Sequence, residues 1–219
     1  MEAPSQWLND IKVFDDVVNA QAQEQIFRYL SQAFYSLQRS NDAAACDKAK
    51  LFLSRDRTEE DIKNFQIEHV EDMMKHDPMD PMKSADKYWT RVHKNDPNCN
   101  DDDHQLCTAL YEALRNVCNV PPFDSCPSVY TNLLRSGDRP KAHVDNVSPK
   151  NRTVMFYLND EWHRDWGGET IFYDLNDEIT KAVLPKPGRV VSFDGRIPHS
   201  ARPPLTAAHR PRYITVMKF

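Results

Sequence analysis

Lys181-Ala182-Val183-Leu184-Pro185-Lys186-Pro187-Gly188-Arg189-Val190-Val191-Ser192-Phe193 sets two short apolar runs on either side of a Pro-Lys-Pro-Gly turn. Each proline removes a backbone donor and fixes φ, and the glycine admits a left-handed turn, so the chain reverses here instead of continuing a helix. Runs of four to seven β-branched and aromatic residues recur on both sides of this stretch. They are Ser128–Leu134, Thr153–Leu158, Glu169–Tyr173, Lys181–Leu184, Arg189–Phe193 and Tyr213–Phe219, with Gly137-Asp138 and Gly167-Gly168 as further punctuation. Short strands at this spacing predict a sandwich or jelly roll rather than a parallel sheet.

The first half reads differently. Ile11–Phe14 is a short strand, and Asn19 is an N-cap for a helix with Ala22, Ile26, Leu30, Ala33, Phe34 and Leu37 on one face. A second helix starts near Thr58, with Asp61 closing a capping box, and carries Ile62, Phe65 and Met73. Asp101, Asp102 and Asp103 suit the positive end of a third helix, whose apolar stripe is Leu106, Leu110, Leu114 and Val117. Between these two helices, His76–Met82 and Asn95–Asn98 hold several prolines, so the segment is expected to be a loop or lid, with Tyr88-Trp89 as a packing island. The expected class is therefore α+β in a single domain spanning 1–219. Residues 1–127 supply mainly helical support and a substrate lid; residues 128–219 form a sandwich or jelly-roll core.

The 219 residues carry a net charge of -5, and no Lys/Arg run is present. Broad binding to a phosphate backbone is not expected of such a chain. No apolar stretch reaches the roughly 18–20 residues that cross a bilayer. Met1–Gln6 lacks a basic region followed by an apolar one, which makes the cytoplasm the expected compartment. Five cysteines, Cys46, Cys99, Cys107, Cys118 and Cys126, form no C-x-x-C pair and are expected as free thiols.

Within the strand-rich half, His143-Val144-Asp145 is followed at a distance by Ile197-Pro198-His199-Ser200. Residues two apart at a strand end project to one side, so His143 and Asp145 share a face. Two imidazoles and one carboxylate occupy one face of an octahedral ion and leave three positions open, the arrangement of non-haem Fe(II) oxygenases. A closed structural zinc site offers no such vacancy. His163-Arg164-Asp165 repeats the pattern but sits between Trp162 and Trp166 before Gly167-Gly168. That is a loop with poorer preorganisation, so His163 and Asp165 are expected at the surface or facing substrate.

Tyr130-x-Asn132, Gly137-Asp138, His143-Val144-Asp145, Tyr157-Leu158-Asn159, Trp166-Gly167-Gly168-Glu169-Thr170, Pro198-His199 and Arg212-Tyr213 together resemble the 2-oxoglutarate/Fe(II)-dependent dioxygenases, in particular the prolyl 4-hydroxylase-like group. The resemblance covers residues 128–219. It implies a double-stranded β-helix in which His143, Asp145 and His199 bind Fe(II), with 2-oxoglutarate as cosubstrate, O2 as oxidant and ascorbate as stimulant. It also implies that a basic residue on the final strand pairs with the distal carboxylate of 2-oxoglutarate. Arg212 fits that place, with Arg210 of the same parity as runner-up; a guanidinium fork suits a carboxylate. Tyr157 is implied to reach the same carboxylate, Thr170 is a second candidate, and Asn132 lines the pocket. The implied reaction hydroxylates an unactivated C–H and releases succinate and CO2. A carboxylate at Asp145 fills the place that halide takes in related halogenases, which favours hydroxylation.

For substrate, a prolyl residue in a peptide or protein and a free amino acid or small metabolite both stay open. Trp162, Trp166, Arg164 and Arg202 flank the expected mouth. No nucleic-acid or membrane partner is expected. The alternative reading is a cupin-like, non-catalytic metal-binding or sensor domain, which needs no cosubstrate anchor.

Overall fold

The computed structural model describes residues 4–33, 36–39, 58, 60, 61, 87–93, 102–123, 126, 128–138 and 140–219. The elements are α1 (Pro4–Trp7), β1 (Ile11–Phe14), α2 (Ala20–Gln32), β2 (Ser36–Arg39), β3 (Lys87–His93), α3 (Asp102–Arg115) and β4 (Ser128–Leu134). They continue with β5 (Arg152–Tyr157), β6 (Thr170–Tyr173), β7 (Ile179–Val183), β8 (Val190–Asp194), β9 (His199–Ala201) and β10 (Arg212–Lys218). Every strand pair is antiparallel. A seven-stranded sheet runs β1-β8-β5-β10-β4-β3-β2, and a three-stranded sheet runs β7-β6-β9.

Strand composition follows the layers. β5 and β8 are buried along nearly their whole length because both of their faces are covered. Strands buried on both sides read as continuous apolar runs, as Val154-Met155-Phe156-Tyr157 does. On one face of the large sheet, Val154, Phe156, Tyr213 and Met217 pack with Leu30 of α2 and Leu106, Leu110 and Leu114 of α3. On the other face, Met155, Tyr157, Val191, Ile214 and Val216 pack with Phe172 and Val183 of the small sheet. Burying a leucine such as Leu110 contributes about 1.5–3 kcal/mol. The second face is the one that matters for chemistry, because it lies between the sheets.

Local signals set the helix ends. Asn19 Oδ1 accepts from Ala22 N at 2.9 Å and caps α2. Asp102 and Asp103 open α3 against its dipole. Thr58 N donates to Asp61 Oδ2 at 2.8 Å while Asp61 N donates to Thr58 Oγ1 at 3.2 Å, so the capping box forms. Ile62, Phe65 and Met73, His76–Met82 and Asn95–Asn98 lie outside the described residues, as do Cys46 and Cys99. Cys107 and Cys126 are buried free thiols, and Cys118 is a half-buried one.

Several expectations for the first half need correction. α2 ends at Gln32, and Leu37 belongs to β2 rather than to the helical stripe. Val117 lies beyond α3 and is exposed. Tyr88 and Trp89 sit within a seven-residue strand, not in a loop. Residues before 128 thus extend the large sheet with β1, β2 and β3 as well as supplying helices. The reason for β3 is polar. Its Arg91 and His93 point to the helix side, where Asp103 receives Arg91 Nη2 at 3.1 Å and His93 Nδ1 at 2.7 Å. His93 Nε2 then meets Thr131 Oγ1 at 2.6 Å, and Tyr29 OH donates to Asp103 at 2.6 Å. Burial opposes the charge on Asp103, but Tyr29, His93 and Arg91 outweigh it and hold its pKa below the ordinary value. No helix among the described residues is long and apolar enough to cross a membrane.

Candidate metal centre

His199 lies on β9, one edge of the small sheet, and exchanges two backbone hydrogen bonds with His143: His143 N to His199 O and His199 N to His143 O, each 2.9 Å. His143 therefore meets β9 through an isolated bridge instead of ending a strand of its own, which corrects the expected placement. The chain then turns so that Asp145 N and Asn146 N both donate to Gly195 O, at 2.9 and 3.1 Å. Gly195 belongs to the turn joining β8 to β9, so both ligand-bearing segments hang from the same backbone. Ligand atoms of His143, Asp145 and His199 all lie within 4.8 Å of one another.

The tautomers follow from the acceptors. His143 Nδ1 is 3.1 Å from Lys141 O, and His199 Nδ1 is 2.9 Å from Ile197 O. A carbonyl only accepts, so each Nδ1 carries the proton and each Nε2 presents a lone pair. Nε2 of His143 and of His199 each sit 3.6 Å from an Asp145 carboxylate oxygen. Burial is the main force on His199, lowering its pKa to about 4 against the pull of Asp145, so the ring is a neutral ligand at pH 7. Burial alone would raise the Asp145 pKa, but Lys218, His199 and His143 hold it well below the carboxylate range. Two imidazoles and a carboxylate on one side of a point suit Fe(II).

Two residues farther along the small sheet, where Thr170 pairs with Ala201 while Phe172 pairs with His199, a second polar cluster appears. That step is about 7 Å. Arg212 is 1% exposed and donates from Nη2 to Thr170 Oγ1 at 2.7 Å. Tyr157 OH donates to the same oxygen at 2.8 Å, and the guanidinium stands 5.5 Å from the Tyr157 ring centroid. Arg212 Nε is buried with no acceptor, and no carboxylate among the described residues pairs with this guanidinium. A desolvated cation lacking a counter-charge is costly unless an anion arrives. The geometry therefore fits a carboxylate ligand. Asn132, opposite Ile214 in the register, adds a buried Oδ1 without a partner. Gly168 has φ +80, and a Cβ there would stand 2.8 Å from Trp162 Cζ2 and 3.3 Å from Arg212 Cδ, so only glycine lets the indole close over this end.

The other candidates lie elsewhere. Arg210 is engaged by Asp160 and by Glu161, the latter at 3.0 Å, and its guanidinium lies 5.6 Å from the Phe27 ring centroid. His163 and Asp165 are exposed on a single 3-10 turn and are not part of the triad. Trp162 and Trp166 stack edge to face at 5.6 Å, and Arg164 and Arg202 are exposed.

Two neighbours of Asp145 escaped the sequence reading. Thr153 Oγ1 donates to Asp145 Oδ2 at 2.6 Å, and Lys218 Nζ lies 2.8 Å from Asp145 Oδ1. A signal existed for the lysine: counting by twos from Arg212 through Ile214 and Val216 puts Lys218 on the same face of β10.

Residues 129–217 match the 2OG-Fe(II) oxygenase superfamily. Over this segment the chain resembles 2OG-Fe(II) oxygenases, as its motifs imply. An oxidoreductase of the 2OG-Fe(II) oxygenase family from Burkholderia pseudomallei shares the fold at a TM-score of 0.56 and 11% identity, covering 99% of this chain and 91% of its own. A Pseudomonas putida prolyl-4-hydroxylase aligns at a TM-score of 0.46 and 17% identity, over 90% of this chain and 98% of its own. The viral collagen prolyl hydroxylase of Paramecium Bursaria Chlorella virus-1 aligns at 0.48 and 13% identity, over 96% and 89%. No curated protein matches the chain. The oxygenase-like segment runs from β4 to β10 and contains the triad, Tyr157, Thr170 and Arg212.

Proposed function

We propose that the protein is an Fe(II)- and 2-oxoglutarate-dependent oxygenase that hydroxylates an unactivated C–H bond. The observation that carries this reading is the pairing of two sites between the sheets: three convergent ligands, and beside them a buried guanidinium that makes no salt bridge to a carboxylate among the described residues. In this reading the two facing sheets are a double-stranded β-helix.

His143, Asp145 and His199 hold the iron through Nε2, a carboxylate oxygen and Nε2. Arg212 receives the distal carboxylate of 2-oxoglutarate, and Thr170 and Tyr157, already hydrogen-bonded to each other and to Arg212, orient the guanidinium. Asn132 offers an acceptor at the pocket wall. Iron, 2-oxoglutarate and O2 supply the oxidising chemistry, with succinate and CO2 as coproducts. The chain's own share is positioning and exclusion of water, for which Tyr157, Phe172 and Ile214 form an apolar lining.

Arg212 also weighs against the cupin-like sensor, because a non-catalytic metal domain has no use for a buried unpaired cation. The substrate is a prolyl residue in a peptide or protein, or a free amino acid or small metabolite. The test incubates the protein with Fe(II), ascorbate, 2-oxoglutarate, free amino acids and proline-containing peptides. Succinate formation with a product heavier by one oxygen supports the reading. Metal-loaded protein that neither binds nor consumes 2-oxoglutarate overturns it.

A further inference from the structure

The final strand brings a second cation to the inter-sheet face, at the opposite end of β10 from Arg212. Lys218 Nζ lies 2.8 Å from Asp145 Oδ1, and its stem runs past Tyr130, whose ring centroid is 5.5 Å from the ammonium. The Asp145 side chain is only 3% exposed, against 30% for that of Lys218. Thr153 Oγ1 holds the other carboxylate oxygen at 2.6 Å. The Asp145 carboxylate is therefore gripped on both oxygens, by a hydroxyl on β5 and an ammonium on β10. Oδ1 lacks a hydrogen bond of good geometry despite its 2.8 Å neighbour, so the Lys218 contact acts mainly through charge.

We infer that Lys218, through its charge beside Asp145, holds the bound iron in the ferrous state. This rests on the oxygenase reading above, since it takes the triad to be an iron site. A fixed positive charge beside a ligand repels a bound cation in proportion to that cation's charge. Fe(III) is disfavoured more than Fe(II), in the ratio three to two, and the effect is strong because the carboxylate between them is desolvated. An iron centre that starts its reaction as Fe(II) gains from this bias whenever O2 meets it without substrate. Lys218 thus acts through Asp145 and touches no reacting atom.

The test compares wild type, Lys218→Met, which keeps the stem and removes the charge, and Lys218→Arg, which keeps the charge. Anaerobic titration with Mn(II) gives divalent affinity, and spectroelectrochemistry of the iron-loaded proteins gives the Fe(III)/Fe(II) potential. In Lys218→Met we expect Mn(II) to bind several-fold tighter and the preference for Fe(III) over Fe(II) to rise by about tenfold, a fall of about 59 mV for one electron. Lys218→Arg should restore wild-type values. A potential that is unchanged or higher in Lys218→Met overturns the assignment, and so does weaker Mn(II) binding in that variant, which marks Lys218 as a spacer alone. If wild type binds no divalent ion, the oxygenase reading fails first; if it binds and the variants do not differ, only the Lys218 inference fails.

Discussion

Arg212 Nη2 lies 2.7 Å from Thr170 Oγ1, so a fully buried guanidinium meets a hydroxyl where a carboxylate would be the natural partner. That mismatch separates a pocket for an acid from an ordinary internal ion pair. Arg196 shows the contrast: it is also buried, but Asp194 neutralises it at 2.6 Å.

Replacing Arg212 with Ala should weaken 2-oxoglutarate binding by one to two orders of magnitude, since a charge-assisted bidentate contact contributes roughly 1.5–3 kcal/mol. Arg210→Ala should leave it within about twofold, because Arg210 answers to Asp160 and Glu161. Calorimetric titration of metal-loaded protein with 2-oxoglutarate measures both, and the reverse ranking would sink the assignment.

His143→Ala and Asp145→Ala should each abolish stoichiometric Mn(II) or Fe(II) binding. His163→Ala should bind like wild type, because the exposed His163 lies outside the cluster. Equilibrium dialysis with metal analysis distinguishes them; loss of binding in His163→Ala would move the centre.

In the helix-side core, Leu110→Ala should cost about 2–5 kcal/mol, measured by urea unfolding, because Leu110 is fully buried against the large sheet. Val117→Ala should lie within about 0.5 kcal/mol, since Val117 is exposed beyond α3. Equal costs would mean the helix packs differently.

Acid should weaken the fold in two stages through the cluster joining β3 to α3. Burial lowers the His93 pKa from 6.5, so below 6.5 the unfolded chain takes up a proton that the folded one refuses, and stability falls with pH. Asp103 is also lowered, from 3.8; its contribution is full above 3.8 and is lost as pH drops through the folded value. Urea midpoints between pH 7 and 3 should show both limbs, and His93→Gln should make the upper one shallower, leaving the share of His199, whose pKa burial also lowers. An unchanged upper limb in that variant would assign it to another group.

How much could be read in advance depended on whether a residue's partners were local. β4 was readable to its ends because Ser128–Leu134 alternates between two covered faces, and the Asn19 cap because its donor, the Ala22 N–H, is three residues away. The triad was readable as a set of ligand types, although the bridge that seats His143 on β9 was not. β3 was hidden because Arg91 and His93 look like loop residues until Asp103, on another element, supplies their charge partner. Lys218 was hidden for the same reason: a lysine near a strand's end reads as a solvated tip until Asp145 arrives from 73 positions earlier.

Because His143 and His199 trade backbone hydrogen bonds and Gly195 tethers Asp145, the cage is closed by main-chain bonding before any ion enters it. Loading then demands almost no ordering of the chain, unlike a zinc finger, whose shape is created by its metal. A chelator should therefore empty this protein without unravelling it, with the far-ultraviolet dichroism before and after superimposable.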